Sequence, residues 1–274
     1  MKKRSEPRVW TAKTYNRLSP YYDTFMKFFF PLGEEGREMI VEKLASGSVL
    51  DVACGTGWTT MRVAELVGDT GFVTGIDIAD LLLDVARKKT EDSDLNNIEY
   101  REGNAESLEF NDQTFDVITC ASSIFIFDDK HKALNEWLRV LKPGGTVIFS
   151  TYGERTFQPV IGLYNSKLIE WGKEKTSPGP EIDNPQECRE LLTDAGFKNV
   201  KTITEELGFY FTDKDECWNQ LANSLALRTR LSILEPEEME QFKTEHYKEL
   251  DTMVTDHGIW IDLPVHFGIG EKPE

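Results

Sequence analysis

Seven residues carry the densest chemical signal in the chain: Asp51-Val52-Ala53-Cys54-Gly55-Thr56-Gly57. They continue the apolar run Ser48-Val49-Leu50, which reads as a short buried strand. Gly55 and Gly57 lack the Cβ that would hold a ligand off the main chain, so the backbone can approach a bound molecule there. A helical pattern follows, and then a second strand-like run from Gly71 that ends in an acid, Asp77.

Strand, glycine loop, helix and acid in that order fit two cofactor sites. One binds a dinucleotide and is marked by G-x-G-x-x-G with an acid about 20 residues further on. The other binds S-adenosylmethionine (SAM). Three features favour SAM. The third glycine of the dinucleotide pattern would fall where Thr60 stands. Asp51 precedes the glycines, where its charge would oppose a pyrophosphate. SAM has no phosphate; its amino group and sulfonium are cationic, and a carboxylate in or near the loop favours them. The loop also comes after a long helical stretch able to form a lid.

Other residue types narrow the chemistry. The chain has four histidines, His131, His246, His257 and His266. His131 is expected to be exposed at a helix start, and His246 to lie among surface charges. His257 and His266, beside the last strand, are the two to test as a catalytic base, although either can be structural. Cys54, Cys120, Cys188 and Cys217 are scattered without a C-x-x-C pair, which argues for reduced thiols and against a disulfide framework or a metal site. A net charge of −17 repels phosphate backbones, so no nucleic-acid partner is expected. No apolar run is long enough to span a bilayer, and no signal-peptide core is visible. A cytoplasmic protein acting on a small molecule, as monomer or homodimer, is the expectation.

The elements that must position these residues are legible in outline. Trp10, Tyr15, Leu18, Tyr22 and Phe25 recur at helical spacing, and a second helix runs over 34–44. Strands are expected at 48–52, 71–77, 97–102, 115–121 and 146–150. Helices are expected after the glycine loop, with Met61, Ala64 and Val67 on one face, over 80–89, and over 130–142, with Leu134, Trp137, Leu138 and Leu141 as an apolar stripe. This alternation means a mostly parallel sheet with helices on both faces. Further on, residues 155–183 read as a helical insertion. Asn184-Pro185 with Glu187 marks a helix start and Gly196 its stop. Residues 198–210 supply a strand, 214–256 are helical and acidic, and 260–270 return as a final strand.

Taken together, Val49 to Gly57, Gly75-Ile76-Asp77, Glu102-Gly103-Asn104-Ala105-Glu106, Phe115 to Thr119 and Arg139 to Gly145 resemble the motifs of class I SAM-dependent methyltransferases, in the UbiE/Coq5-like branch labelled methyltransferase type 11. The resemblance covers roughly residues 10–152. It implies a Rossmann-like α/β fold with a seven-stranded, mostly parallel sheet, an N-terminal helical lid and helical insertions after strands 5 and 6. It also implies methyl transfer from SAM, leaving S-adenosylhomocysteine, with no metal. Carried over position by position, Asp51, Ala53, Gly55, Thr56 and Gly57 would lie along the methionine part of SAM. Asp77 would take the ribose hydroxyls, with Ile78 beside it. Asn104, Ala105 and Glu106 would lie on the adenine side, and Ser122 would border the sulfonium. Tyr15 and Tyr22 resemble lid tyrosines, whose faces attract a cation. Two departures stand out: Ala53 replaces a common glycine, and Asn104 replaces a common aspartate. Asp77 has a plainer alternative as a helix cap, and Glu106 as a solvated loop acid.

The expected organisation is one continuous domain: a lid over 1–46, the SAM core over 47–152, and over 153–274 the rest of the sheet with substrate-selecting insertions. The expected acceptor is a small, partly apolar molecule with an oxygen, carbon or nitrogen nucleophile, for which Tyr164, Trp171 and Trp218 are among the aromatic candidates. Ala121-Ser122-Ser123-Ile124-Phe125 after the central strand lacks the motif of base-methylating enzymes. Two alternatives stay open: a protein that holds SAM without catalysis, and a dinucleotide enzyme.

Overall fold

A computed structural model describes residues 47–173, 182–224 and 231–274. The expected lid, with Tyr15 and Tyr22, lies outside the described residues. Seven strands form one sheet: β1 Ser48–Val52, β2 Phe72–Asp77, β3 Ile98–Glu102, β4 Phe115–Cys120, β5 Leu141–Tyr152, β6 Lys198–Phe211 and β7 Ile259–Glu271. Their number is the one the resemblance implied, and their order is β3-β2-β1-β4-β5-β7-β6. β1 pairs in parallel with β2 and β4, β2 with β3, and β4 with β5. Against β5, the partners on β7 fall in number as β5 rises: Lys272 bonds Gly144 and Gly145, and Pro264 bonds Gly153. That is antiparallel pairing.

Seven α-helices connect the described strands: α1 Trp58–Val67, α2 Asp80–Glu91, α3 Lys130–Val140, α4 Val160–Glu170, α5 Pro185–Asp194, α6 Lys214–Asn223 and α7 Pro236–Asp251. By its internal contacts the chain divides into two compact units. Among the described residues the first comprises 47–151, 184–204 and 266–274; the second comprises 152–173, 182–183, 205–224 and 231–265.

The core of the first unit is the central strands under α1. Val49, Val73, Val117, Ile148 and Ile269 pack with Val63, Ala64 and Val67 of α1. β1 is buried on both faces, which explains its unbroken apolar run. The buried face of α1 includes Thr59 and Thr60, while Met61 is only partly covered, so the face is rotated from the expected one. A second shift falls at Leu141. It pairs with Phe115 as the first residue of β5, and α3 stops at Val140. Side-chain periodicity could not mark this end, because Leu141 is fully buried as a strand residue just as it would be in the helical stripe. At α5 the start and stop signals act as read. Asn184 accepts the Glu187 N–H, Pro185 opens the helix, and Gly196 takes φ 99° beyond its end.

Candidate active site

β1 delivers the chain to the glycine loop at the C-terminal end of the parallel strands, where ligands bind in open α/β sheets. Within the loop three alternate residues are left-handed: Ala53 and Gly55 at φ 55° and Gly57 at φ 82°. The turns are fixed from below. Cys54 N–H donates to the Ile76 carbonyl at 2.9 Å, and Gly57 N–H to the Cys54 carbonyl at 3.0 Å. Gly57 is required by packing as well as by φ. A Cβ there would strike the Tyr100 hydroxyl and come within 3.0 Å of Ala86 Cβ. Gly75 makes the same room on β2, where a Cβ would sit 3.0 Å from Cys54 Sγ. Ala53, in place of glycine, holds a left-handed backbone at a cost of about 1–2 kcal/mol.

Asp51 lies beneath this loop with no exposure. Its two oxygens accept from Thr60 Oγ1 at 2.6 Å and Thr119 Oγ1 at 2.8 Å. Burial pushes its carboxyl up to about 6, although both hydroxyls pull the other way. These bonds tie β1, α1 and β4 together beneath the loop. Thr60 gains its reason here. Where a dinucleotide site has its third glycine, this chain has the donor that holds Asp51.

Asp77 ends β2 and is 8% exposed. Its Oδ2 accepts the Gly55 N–H and its Oδ1 the Ala79 N–H, each at 2.9 Å. Burial raises its carboxyl above the ordinary range, opposed by the N–H groups of Ala79, Gly55 and Ile78. Asp77 is not the cap of α2: the cap position is Ala79, without a side-chain capping bond, and of the helix start Asp77 meets only that residue's own N–H. Three of its four acceptor positions are taken by N–H groups, which leaves one lone pair on the carboxyl. Ile78, the next residue, is exposed.

The remaining expected residues divide. Asn104 Oδ1 accepts the Glu106 N–H and its carbonyl the Ser107 N–H, which folds 104–107 into a tight turn with Ala105 buried. Glu106 is not a free loop acid. Its Oε1 accepts the N–H groups of Asp128 and Asp129 at 2.9 and 3.1 Å, fastening the entry to α3. Ser122, just past β4, is left-handed at φ 52°, and its N–H donates to Ser150 Oγ. Thr56 is buried, with its carbonyl accepting from Lys89. Thr119, Ser150 and Tyr100 were missed by sequence reasoning. Thr119 reaches Asp51 only through the β1–β4 register, in which the two are partners, and nothing local announces that.

His266 lies within β7, 7% exposed, its Nδ1 2.9 Å from Thr204 Oγ1. His257 is exposed beside the Tyr210 ring. His246 corrects the expectation of a surface position: it is fully buried, with its ring 4.2 Å from that of Tyr164. Of the charged residues around it in sequence, Glu245 and Glu249 are half-buried against Lys167, and the imidazole lies deeper still. The second unit also brings together Tyr164, Trp218 and Phe242, with Trp171 against Phe242. All four cysteines are free and buried, and burial holds the Cys54 and Cys120 thiols well above their ordinary range. Among the described residues no cluster of potential metal ligands occurs, and no helix is long and apolar enough to cross a membrane.

A family model described as the ubiE/COQ5 methyltransferase family matches residues 33–210. A demethylmenaquinone methyltransferase of Listeria welshimeri is 33% identical over 72% of this chain and 91% of its own length. A ubiquinone/menaquinone biosynthesis C-methyltransferase UbiE of Shewanella halifaxensis is 36% identical over 56% of this chain and 66% of its own. The YcgJ protein of Bacillus subtilis superposes with a TM-score of 0.57 at 20% identity, covering 88% of this chain and all of that one.

Proposed function

The chain belongs to the ubiE/COQ5 methyltransferase family, and we propose that it methylates a ring carbon of a small, partly apolar aromatic acceptor of the quinol type. It is a methyltransferase and its methyl donor is SAM. The observation that carries the cofactor assignment is the pairing of Asp77 with a loop that holds three left-handed residues. The loop brings bare backbone to the end of the sheet, and the carboxyl beside it keeps a lone pair for a ribose hydroxyl. Exposed Ile78 adds an apolar surface for an adenine.

Bound there, SAM supplies an electrophilic methyl group on a sulfonium. What the chain contributes is position and field. Backbone at Ala53, Gly55 and Gly57 lies along the methionine portion, Asp77 holds the ribose, and Asn104 and Ala105 flank the adenine. Ser122 and Thr56 border the site, and the buried Asp51 favours its cationic charge. Methyl displacement needs collinear partners and little covalent help, so orientation and water exclusion supply most of the rate. Tyr15 and Tyr22 are assigned to a lid over this site, and Glu106 to fixing its rim.

The acceptor class is supported by the names of the relatives and by the aromatic supply of the second unit, which we assign to acceptor selection. In carbon methylation of a quinol, loss of the hydroxyl proton activates the ring, and the S–CH3 bond breaks as the ring carbon takes the methyl. The ring-carbon proton then leaves as the aromatic ring and hydroxyl are restored. His266 and His257 are the positions to test, each by replacement with Gln; a base would lower kcat at least tenfold without altering SAM affinity. A cytoplasmic location is proposed from the reduced thiols.

Calorimetry with SAM, S-adenosylhomocysteine and NAD tests the cofactor: binding of NAD with no SAM signal would end the assignment. Asp77→Ala should weaken SAM by about 1–3 kcal/mol, the range for a lost charged hydrogen bond. Mass spectrometry of reactions with labelled SAM and a reduced naphthoquinol tests the acceptor. Label on a ring carbon supports the proposal, and label on oxygen alone, or none, refutes it.

A further inference from the structure

Strand β3 forms one edge of the sheet, and none of its five residues is fully buried. Val73 N–H donates to the Asn97 carbonyl and Gly103 N–H to the Asp77 carbonyl. Residues 97, 99, 101 and 103 therefore turn their backbone groups toward β2. Backbone direction alternates along a strand, so Ile98, Tyr100 and Glu102 turn theirs outward. Among the described residues these outward groups meet only Arg87, an exposed side chain 3.3 Å from the Tyr100 carbonyl.

A groove opens on each face of this strand. One, of about 430 Å³, lies between β3 and the end of α2, lined by Thr90, Ile98 and Tyr100 among others. The other, of about 360 Å³, lies beside Thr74, Arg101 and Phe110. An open edge with room on both faces is the form that takes an added strand, whose side chains alternate into the two grooves.

Charges usually blunt such an edge. Here they specify its partner. Glu99 and Arg101 project to one face and pair within the chain at 2.8 Å, both partly exposed. Let a second copy of β3 run antiparallel about Tyr100. Glu99 then falls opposite Arg101 and Arg101 opposite Glu99, while Ile98 faces Glu102 and Tyr100 faces itself. The backbone fits the same register. The outward residues meet as hydrogen-bonded pairs, and the charged ones meet at the non-hydrogen-bonded positions, where side chains lie closest. The neighbouring registers that keep this alternation centre on Glu99 or on Arg101, and set like charge against like.

We propose that β3 is a self-association edge, on which two copies of this chain pair strand to strand, antiparallel about Tyr100, with two Glu99–Arg101 ion pairs across the seam. Arg87 gives up the Tyr100 carbonyl to the partner's backbone. A net charge of −17 on each copy opposes approach at long range, so the dimer is weak and dissociates in the tens of micromolar.

Sedimentation velocity of the full chain over a concentration series tests this. The wild type should pass from monomer to dimer between micromolar and submillimolar concentrations. Arg101→Glu and Glu99→Arg each set like charges across the seam, and each should weaken self-association about tenfold. Mixed together, the two variants regain both opposite-charge pairs and should form a heterodimer close to wild-type strength. Circular dichroism checks that each variant is folded. A wild type that stays monomeric overturns the proposal, as does a dimer that both variants retain or a mixture that fails to associate. Amide exchange in the wild type needs no variant. Exchange at Tyr100 that slows as the dimer forms supports the seam, and a dimer that leaves it unchanged refutes it.

Discussion

The glycine loop of the first unit and the aromatic nest of the second solve the same problem in opposite ways. Each buries ionisable or hydrogen-bonding groups away from water. In the loop every one of them finds a protein partner: Asp51 has two threonines, and Asp77 has two backbone N–H groups. In the nest the Tyr164 hydroxyl and His246 Nε2 find none. A site that is fully satisfied is rigid before its ligand arrives, and pays little ordering entropy on binding. One that keeps orphan atoms gives up part of the stability that burying its apolar rings supplies.

The largest expected effect breaks the loop's side of this contrast. Gly57→Ala combines a left-handed backbone with a collision against Tyr100, and should cost about 3 kcal/mol in chemical denaturation. A loss under about 1 kcal/mol would mean that the loop is softer than its hydrogen bonds imply.

The pH dependence of Asp51 sharpens it. Its carboxyl stands at about 6 in the native state against 3.8 for the ordinary group. A raised acid binds its proton more tightly in the folded chain, so its contribution to stability is greatest below the lower value and falls as pH rises through the higher one. Between about pH 4 and 7 this amounts to roughly 3 kcal/mol. Asp51→Asn removes the titration, so the stability advantage of wild type over variant should shrink by that amount across the interval. A difference that grows with pH would reverse the sign of the burial effect.

A smaller change tests the nest. Tyr164→Phe deletes an orphan hydroxyl and should leave the free protein unchanged or stabilise it by about 1 kcal/mol, read as a rise in melting temperature. A loss of stability would reveal a partner for the hydroxyl and erase the contrast. Smallest is Ala53→Gly. It relieves the left-handed strain, but glycine also gains freedom in the unfolded chain, and the net gain should be about 0.5 kcal/mol.

How far each region could be read without coordinates follows the same division. The loop was legible because its demands are local. Gly55, Gly57 and the acid ending β2 sit at spacings set by one strand, one turn and one helix. The nest was not, because its residues come from three helices separated by dozens of positions. Acidic neighbours in sequence also made His246 look like a surface residue. Helical periodicity gives the face of α7 but not what that face meets. For the same reason Glu106, read as a ligand or a solvated acid, proved to hold the entry of α3 from across a turn.

By itself the sequence determined the parallel α/β layout, the start and end of α5, and the backbone shape of the cofactor loop. These depend on periodicity, capping and φ, all encoded within about a dozen residues. Only the tertiary structure decided that Asp51 is sealed beneath the loop by Thr60 and Thr119, and that Tyr164 and His246 share a nest. A buried carboxyl and a buried imidazole take their properties from desolvation and from partners far away in the chain, and neither is written in the residues beside them.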